Sequence, residues 1–368
     1  MSMKRVAIFP LALLGIWFSL WLSTPVRAQV TPVEGNLTIP HFTFGSGETL
    51  PELKIHYRTL GRPRRDIWGQ VRNAVLILHA TGSSGAQFIT PEFTGTLYGP
   101  GQPLDLSKYF LIMPDGVGHG QSSKPSDGLH AHFPHYNYDD MVTAQYRLVT
   151  EGLHVNHLRL VMGTSMGGMQ TWVWGVKYPD FMDALMPFAS LPVQIAGRNR
   201  MIRRMAIDSI RNDPEWNYGE YTQQPVRAVT AAIYVSMFMI GSPLQLQKQA
   251  PARDQADELF NAQVQAGLAV RDANDTLYQF EASRDYDPSA SLEEINAPLI
   301  AVNTADDQVN PPELRIAERE IQRVKCGEFV LLPTSDQTRG HASYNYPELW
   351  KHHLSALLRK SRHFAGQD

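Results

Sequence analysis

The sequence has almost no cysteine, since Cys326 is the only one in 368 residues. An intrachain disulfide is therefore excluded, and the folded state must be stabilised by burial of its core. Cys326 lies beside an apolar segment of strand length. A lone cysteine in that setting is more typical of a small buried side chain than of a nucleophile, so we expect Cys326 to be buried.

An excess of charge is also missing, because the net charge is −3 and charged residues make up 19% of the chain. Nothing in this balance attracts a polyanion, so we expect no nucleic-acid partner. Repeats and low-complexity tracts are absent from the sequence. The length suits one large domain or a core domain with an insertion.

The first residues differ in character from the rest. Lys4 and Arg5 precede an apolar run over residues 6–22, and the small-residue pattern Val26-Arg27-Ala28 follows. This pattern predicts a signal peptide over residues 1–28, a periplasmic or secreted location, and no stable membrane anchor after cleavage. The alternative is an uncleaved anchor, but the run is short for a span of about 20 residues and Pro10 interrupts it.

Apolar runs of strand length alternate with segments of helical period. The runs are residues 74–78, 109–113, 158–162, 184–188, 298–302 and 328–332. Continuous apolar runs are typical of a parallel sheet that is covered on both faces. Residues 36–44 and 53–60 are expected to form antiparallel edge strands. The alternation predicts an α/β fold with a mostly parallel, doubly wound sheet.

Helical segments fill the gaps between these runs. Met169, Trp172 and Val176 recur at helical spacing and predict one buried stripe. Asp139 and Asp140 are expected to cap an earlier helix. Residues 191–287 show no convincing strand, so we interpret them as a helical cap inserted between two late strands. The predicted core is therefore residues 29–190 and 288–368.

The strongest motif is Gly163-Thr164-Ser165-Met166-Gly167, which follows a predicted strand and precedes a predicted helix. This context is the one that a nucleophile elbow requires, and the glycines permit its tight turn. We predict that Ser165 is the nucleophile of a serine enzyme. The alternative is a glycine-rich turn without chemistry.

A serine nucleophile needs a base, and in this fold an acid and then a histidine follow it along the chain. Asp306 and Asp307 follow the run 298–302, and His341 follows the run 328–332. We predict His341 as the base and one of the two aspartates as the residue that orients it.

The oxyanion of such a reaction needs two backbone N–H donors. Met166, which follows the nucleophile, supplies the first, and Thr81 in the loop after an early strand is our candidate for the second. The alternative for Thr81 is a plain turn at the end of a strand. This chemistry needs no cofactor.

Three histidines, His130, His132 and His135, suggest a metal site because imidazoles suit zinc. No cysteine or carboxylate completes the set nearby. We therefore predict a loop over the site and no bound metal.

The motifs resemble those of the homoserine O-acetyltransferase-like branch of the α/β-hydrolase superfamily, over nearly all of the mature chain. The segments that carry the resemblance are His79-Ala80-Thr81-Gly82, Gly163 to Gln170, Asp213-Pro214-Glu215-Trp216, Asp272-Ala273-Asn274 and Gly340-His341. The resemblance implies the triad Ser165, Asp307 and His341, with Asp307 preferred over Asp306 by its spacing to Pro311-Pro312. It also implies a helical lid that mediates homodimer contacts.

Three departures from that branch bear on the reaction. The transferases carry a glycine- and threonine-rich motif where this chain has residues 115–123, which resemble a general hydrolase pattern. The arginine that binds the substrate carboxylate is replaced by Ile207, with Arg203 and Arg204 one turn away. An exported enzyme would also lack cytosolic acetyl-CoA.

Our leading expectation is an exported serine hydrolase that cleaves a small-molecule carboxylic ester through an acyl-enzyme. The alternative is an O-acyltransferase of the homoserine O-acetyltransferase type, which shares every step up to the acyl-enzyme. A non-catalytic binding protein on a hydrolase scaffold is the third hypothesis.

Overall fold

One sheet organises the chain in the computed structural model, which describes residues 30–361. Its eight strands run in the order β1-β2-β4-β3-β5-β6-β7-β8. They are β1 (Val33–Thr43), β2 (Thr49–Leu60), β3 (Ala74–Leu78), β4 (Phe110–Pro114), β5 (Leu160–Thr164), β6 (Leu185–Phe188), β7 (Leu299–Thr304) and β8 (Gly327–Leu332). The predicted signal peptide, residues 1–28, lies outside the described residues.

The sheet is mostly parallel, as predicted. β1 pairs with β2 and β2 with β4 in antiparallel fashion, and the other neighbouring strands are parallel. Every residue of β3 to β7 is buried. Helices on both faces explain why these strands are continuous apolar runs. The predicted fold class is confirmed.

Ten α-helices connect and cover the strands within the described residues. They are α1 (Pro91–Leu97), α2 (Tyr138–Arg147), α3 (Met166–Lys177), α4 (Gly197–Arg211), α5 (Val226–Ile240), α6 (Pro243–Gln249), α7 (Arg253–Leu268), α8 (Ala273–Glu281), α9 (Ile316–Glu320) and α10 (Lys351–Lys360). Helices α4 to α8 lie between β6 and β7, in the part of the chain that we interpret as the cap.

The prediction for the start of α2 was wrong by two residues. Asn137 is the N-cap, and its side chain accepts a hydrogen bond of 3.0 Å from the backbone N–H of Asp140. The Asp140 carboxylate returns a 3.0 Å bond to the backbone N–H of Asn137. The aspartate thus closes a capping box from inside the first turn, where a carboxylate also suits the helix dipole.

Two further features correct or extend the sequence analysis. Cys326 is half-buried rather than buried, because it immediately precedes the edge strand β8.

Among the described residues, no single helix has the length and apolar character to cross a membrane. Helices α5 and α6 meet those criteria only as a pair, which is bent by 107°.

Candidate active site

Ser165 occupies a strained turn between β5 and α3. Its backbone has φ 52° and ψ −110°, a conformation that costs energy for a residue with a side chain. Gly163 and Gly167 make the turn feasible. A Cβ at Gly163 would collide with the carbonyl oxygen of Gly167, and one at Gly167 would collide with that of Leu78. The structure thus gives a physical reason for both glycines of the motif.

Ser165, His341 and Asp307 lie in one hydrogen-bonded chain. The Ser165 Oγ is 2.8 Å from His341 Nε2, and His341 Nδ1 is 2.9 Å from Asp307 Oδ2. The three residues follow β5, β8 and β7, whose carboxyl ends meet at one edge of the parallel sheet. The arrangement allows His341 to accept a proton from Ser165 while Asp307 fixes the imidazole tautomer.

Asp307 is fully buried, and it is held by groups that the sequence analysis missed. Its Oδ1 accepts hydrogen bonds from the backbone N–H groups of Val309 (2.7 Å) and Asn310 (3.1 Å), and its Oδ2 accepts one from Asn310 Nδ2 (3.1 Å). Burial alone would raise the pKa of Asp307. The charge and hydrogen bond of His341, with the bonds from Asn310, outweigh burial and lower that pKa. The carboxylate is therefore ionised at neutral pH.

Asp306 supports the same loop from a different side. Its Oδ2 accepts hydrogen bonds of 2.9 Å from the backbone N–H of Gly340 and from Thr338 Oγ1. Gly340 has a positive φ of 59° and directly precedes His341. Asp306 thus contacts the histidine loop rather than the imidazole, and the geometry favours Asp307 as the partner of His341.

Two other buried histidines, His79 and His119, have no hydrogen bond to Ser165 in the described structure. His79 Nδ1 bonds to the carbonyl oxygen of Ala80 at 2.8 Å, and its Nε2 accepts a bond of 2.8 Å from the N–H of Gly116. Burial lowers the pKa of His79, and burial with the neighbouring His79 lowers the pKa of His119 to about 3. Both imidazoles are neutral at pH 7, and His341 is the histidine bonded to Ser165.

The two candidate oxyanion donors lie at the start of α3 and in the loop after β3. Met166 is the first residue of α3, so its N–H has no acceptor within the helix. Thr81 follows β3, which pairs with β5, and the N–H of Gly167 bonds to the carbonyl oxygen of His79 at 3.1 Å. Thr81 and Ser165 line one cavity. Their roles as oxyanion donors stay predictions.

Gln87 connects three parts of the site, and no local motif indicated it. Its Oε1 accepts a 3.0 Å hydrogen bond from the N–H of Ala80, beside Thr81. Its Nε2 donates to Thr164 Oγ1 (3.0 Å), beside Ser165, and to Asn345 Oδ1 (3.1 Å), in the loop that follows His341. One amide therefore ties the loop of the candidate oxyanion donor to the loops of the nucleophile and the base.

Replacing Gln87 by Leu is expected to lower kcat about 10- to 100-fold with little change in KM, because small displacements of reacting groups are costly. The measurement is steady-state kinetics with a short p-nitrophenyl ester. Gln102→Leu is the matched control, since Gln102 also bridges backbone groups, those of Gly99 and Gly95. An unchanged kcat in folded Gln87→Leu would exclude the positioning role.

The cavity in front of Ser165, which we call the active-site cavity, has a volume of about 490 Å³. Thr81, Ser165, His341 and Arg203 are among the residues that line it. Arg203 is buried, its guanidinium lies 5.8 Å from the ring centre of Phe280, and one of its nitrogens has no hydrogen-bond partner in the described part of the chain. The guanidinium group of Arg203 thus places a fixed positive charge in the wall of the cavity.

Ile207, the residue expected in place of the transferase arginine, does not line the active-site cavity. It lines a separate cavity with residues such as His135 and Arg211. Arg203, which lies one turn earlier on α4, is the arginine of this helix that lines the active-site cavity together with Ser165. The departure predicted from the sequence is therefore accompanied by a different arginine in the site.

The three histidines of the segment 130–135 do not converge. His132 Nε2 lies 3.7 Å from Glu220, and His135 Nδ1 lies 3.2 Å from Glu48. Among the described residues, no group of three or more histidine, cysteine, aspartate or glutamate side chains is arranged to hold a metal ion.

Comparison with known proteins gives the family. The model of the α/β hydrolase fold family matches residues 73–333. The chain belongs to this family. A Methanothermobacter thermautotrophicus protein named "Probable acyltransferase" is 31% identical to this α/β hydrolase over 315 residues, which cover 83% of this chain and 92% of that protein.

A second relative specifies the branch of the α/β hydrolases. The homoserine O-acetyltransferase of Pelobacter propionicus is 33% identical over 304 residues, covering 73% of this chain and 80% of that protein. The resemblance to the homoserine O-acetyltransferase-like branch is therefore confirmed.

A solved structure of different activity has the same fold. An acetylester hydrolase from Corynebacterium glutamicum matches this α/β hydrolase with a TM-score of 0.77 at 21% identity, over 89% of this chain and 96% of that one. At this identity the likeness supports the fold alone. Transferases and ester hydrolases thus share this architecture, and the fold does not choose between them.

Proposed function

We propose that this α/β hydrolase transfers an acyl group to an alcohol through an acyl-enzyme on Ser165. The observation that carries the proposal is the hydrogen-bonded chain Ser165–His341–Asp307, with distances of 2.8 and 2.9 Å, at the wall of a cavity. The relatives named as acyltransferases support transfer over hydrolysis, which reverses the order that the sequence alone favoured.

The first half of the reaction forms the acyl-enzyme. Ser165 Oγ attacks the carbonyl carbon of an acyl donor while His341 Nε2 takes the hydroxyl proton. The N–H groups of Met166 and Thr81 stabilise the oxyanion. The tetrahedral intermediate then collapses, the bond to the leaving group breaks, and His341 returns the proton to the leaving atom.

The second half transfers the acyl group. An acceptor alcohol loses its proton to His341 as its oxygen attacks the Ser165 ester, and the collapse of the second intermediate restores the Ser165 hydroxyl. Asp307 stays ionised and stabilises the imidazolium in both halves. Water in place of the alcohol gives hydrolysis by the same steps.

Hydrolysis is the second candidate function, and one observation favours it. Residues 115–123 resemble a general hydrolase pattern. Ile207, the residue expected in place of the transferase arginine, lies outside the active-site cavity, whereas Arg203 lines it, so this arginine does not separate the two functions. The two functions differ only in which acceptor reaches the acyl-enzyme.

Partitioning of the acyl-enzyme tests the two functions. With p-nitrophenyl acetate as donor, we expect added simple alkanols to divert at least half of the acetyl group from acetate to a new ester. The measurement is product analysis by mass spectrometry at constant p-nitrophenol release, with homoserine and simple alkanols as acceptors and Ser165→Ala as the control. Free acetate as the sole product with every acceptor would favour hydrolysis.

We also propose that the enzyme is exported. The support is the basic start, apolar run and small-residue site of residues 1–28. Expression of the full chain in a Gram-negative host should give a periplasmic protein that begins at Gln29, which intact mass and N-terminal sequencing will detect. A cytoplasmic protein that retains residues 1–28 would contradict the proposal.

A further inference from the structure

A second and larger cavity lies among the helices of the predicted cap. We call it the cap cavity, and its volume is about 1170 Å³. Its walls come from α5, α6 and α7 and from the loop after His341. Apolar side chains that line it are Ile233, Met237, Leu246, Leu259, Phe260 and Tyr346. This volume slightly exceeds the range of about 300–1,000 Å³ that is usual for small-molecule sites, so the cap cavity is large enough for a substantial apolar group.

The cap cavity adjoins the active-site cavity. Ser236, Ile240 and Arg271 line both of them, and we call these three residues the neck between the two spaces. Ala342, which directly follows His341, lines the cap cavity. Thr81 lines only the active-site cavity. The larger space therefore adjoins the histidine side of Ser165.

This position bears on which half of the substrate enters. His341 must exchange a proton with the oxygen of the leaving or attacking alcohol, so the alcohol lies on the histidine side of the reacting carbon. The carbonyl oxygen lies toward the candidate oxyanion donors instead. The side of the site that adjoins the cap cavity is thus the side of the alcohol.

The charges of the cap cavity have one sign. Arg198, Arg271 and Arg339 line it, whereas no aspartate or glutamate does among the described residues. Burial lowers the pKa of Arg271, which has no ion-pair partner in the described part of the chain and bonds only weakly to Ser236, at 3.4 Å. Asp272 and Asp275 line the active-site cavity on the other side of the neck, so a cationic group within the cap cavity itself would meet repulsion without a carboxylate in the lining.

We propose that the cap cavity binds the alcohol part of the substrate and that this alcohol is an apolar chain without positive charge. The inference rests on the acyl-enzyme mechanism proposed for Ser165. It places the acyl group in the active-site cavity and the alkyl chain of the alcohol beyond the neck. An amino-acid alcohol, with its ammonium group, would be a poor substrate.

Two ester series test which half of the substrate enters the cap cavity. In alkyl acetates from ethyl to octyl, only the alcohol grows, and we expect kcat/KM to rise about fourfold per methylene. In p-nitrophenyl alkanoates from acetate to octanoate, only the acyl group grows, and we expect no such rise. A rise confined to the acyl series, or a rise in neither series, would overturn the proposal.

The charge requirement has its own matched probes. Hexyl acetate, 6-hydroxyhexyl acetate and 6-aminohexyl acetate share one chain length and differ in the terminal group. We expect kcat/KM of the amine to be at least tenfold below that of the neutral hydroxyl compound. Equal values for these two would remove the exclusion of cations.

Filling the cap cavity with a larger side chain tests whether the alcohol chain binds there. Leu259→Trp and Met237→Trp insert an indole into the cap cavity, and each should lower the ratio of kcat/KM for octyl over ethyl acetate at least tenfold. The control is Val226→Trp, which places the same side chain on α5 at a half-exposed position outside both cavities. An unchanged ratio in both folded cavity variants would overturn the proposal.

A binding measurement separates this inference from the catalytic proposal. Ser165→Ala cannot form the acyl-enzyme, so titration calorimetry of this variant with octyl acetate and ethyl acetate reports the site without chemistry. Tighter binding of octyl acetate, lost with Leu259→Trp in the same background, supports the cavity even if turnover is absent. Equal binding of the two esters would overturn the inference while leaving the mechanism intact.

Discussion

Ser165→Ala should lower the turnover of p-nitrophenyl acetate by about 10⁴- to 10⁶-fold. The substitution removes the oxygen that lies 2.8 Å from His341 Nε2 and leaves the base without a proton to accept. The backbone N–H of Ser165 still bonds to the carbonyl oxygen of Phe188, and alanine tolerates the buried site. The thermal midpoint should therefore change little.

The measurement combines kinetics with covalent labelling. A fluorophosphonate probe should modify the wild-type enzyme at Ser165, identified by peptide mass spectrometry, and should leave Ser165→Ala unmodified. Ser83→Ala is the matched control, because Ser83 lines the same cavity but has no hydrogen bond to His341 in the described structure. Substantial turnover by pure Ser165→Ala would remove Ser165 from the mechanism.

The labelling also decides between an enzyme and a binding protein. A wild-type chain that folds but neither reacts with the probe nor releases p-nitrophenol would favour the third hypothesis, a binding function on a hydrolase scaffold. Labelling without turnover would instead indicate that acyl-enzyme formation occurs and that the acceptor is missing. A protein without chemistry at Ser165 and an enzyme that lacks its acceptor therefore give different results.

The parts of this molecule that the sequence predicted are those set by local rules. The elbow is a strand, a tight glycine turn and a helix in succession, so 163–167 carries its own context. Buried parallel strands appear in the sequence as apolar runs. The bounds predicted for β3 are the observed ones. The placement of His341 and Asp307 next to Ser165 followed from the chain order of the fold and from the family resemblance, and their catalytic roles stay predictions.

The residues that were missed act through long-range contacts. Gln87 bonds to Thr164 and Asn345, which lie 77 and 258 positions away, and no pattern around Gln87 indicates those partners. For Asn310 the sequence did contain a local signal, because an amide three residues after Asp307 suits a local side-chain turn. The cap cavity depends on how three helices pack together, which periodicity within each helix does not specify.

The choice between hydrolysis and acyl transfer could not be made from the residues of the site. The proposed acyl-enzyme is common to hydrolases and transferases, so the residues of the candidate triad do not discriminate between them. The sequence favoured hydrolysis on residues 115–123, Ile207 and export. The relatives weigh more heavily toward transfer, because their similarity extends over most of both chains.

Asp307→Asn should lower kcat by about 10⁴-fold, whereas Asp306→Asn should lower it less than tenfold. The two substitutions are chemically identical and lie at adjacent positions, so each is the control for the other. Asp307 Oδ2 accepts from His341 Nδ1 at 2.9 Å. An amide there removes the negative charge that stabilises the imidazolium and turns the histidine toward the wrong tautomer.

Asp306→Asn keeps what Asp306 does in the structure. An amide oxygen still accepts the bonds from the backbone N–H of Gly340 and from Thr338 Oγ1. The added NH₂ group takes the place of Oδ1, which has no hydrogen-bond partner in the described part of the chain. The histidine loop should therefore keep its position, and kcat with it.

Steady-state kinetics on both variants, with circular dichroism to verify folding, provides the test. The decisive quantity is the ratio of the two kcat values, which should be about 10³ or more in favour of Asp306→Asn. A ratio near one would mean that the loop geometry matters as much as the charge. A reversed ratio would make Asp306 the acid that orients His341, and the 2.9 Å contact of Asp307 would then be structural rather than catalytic.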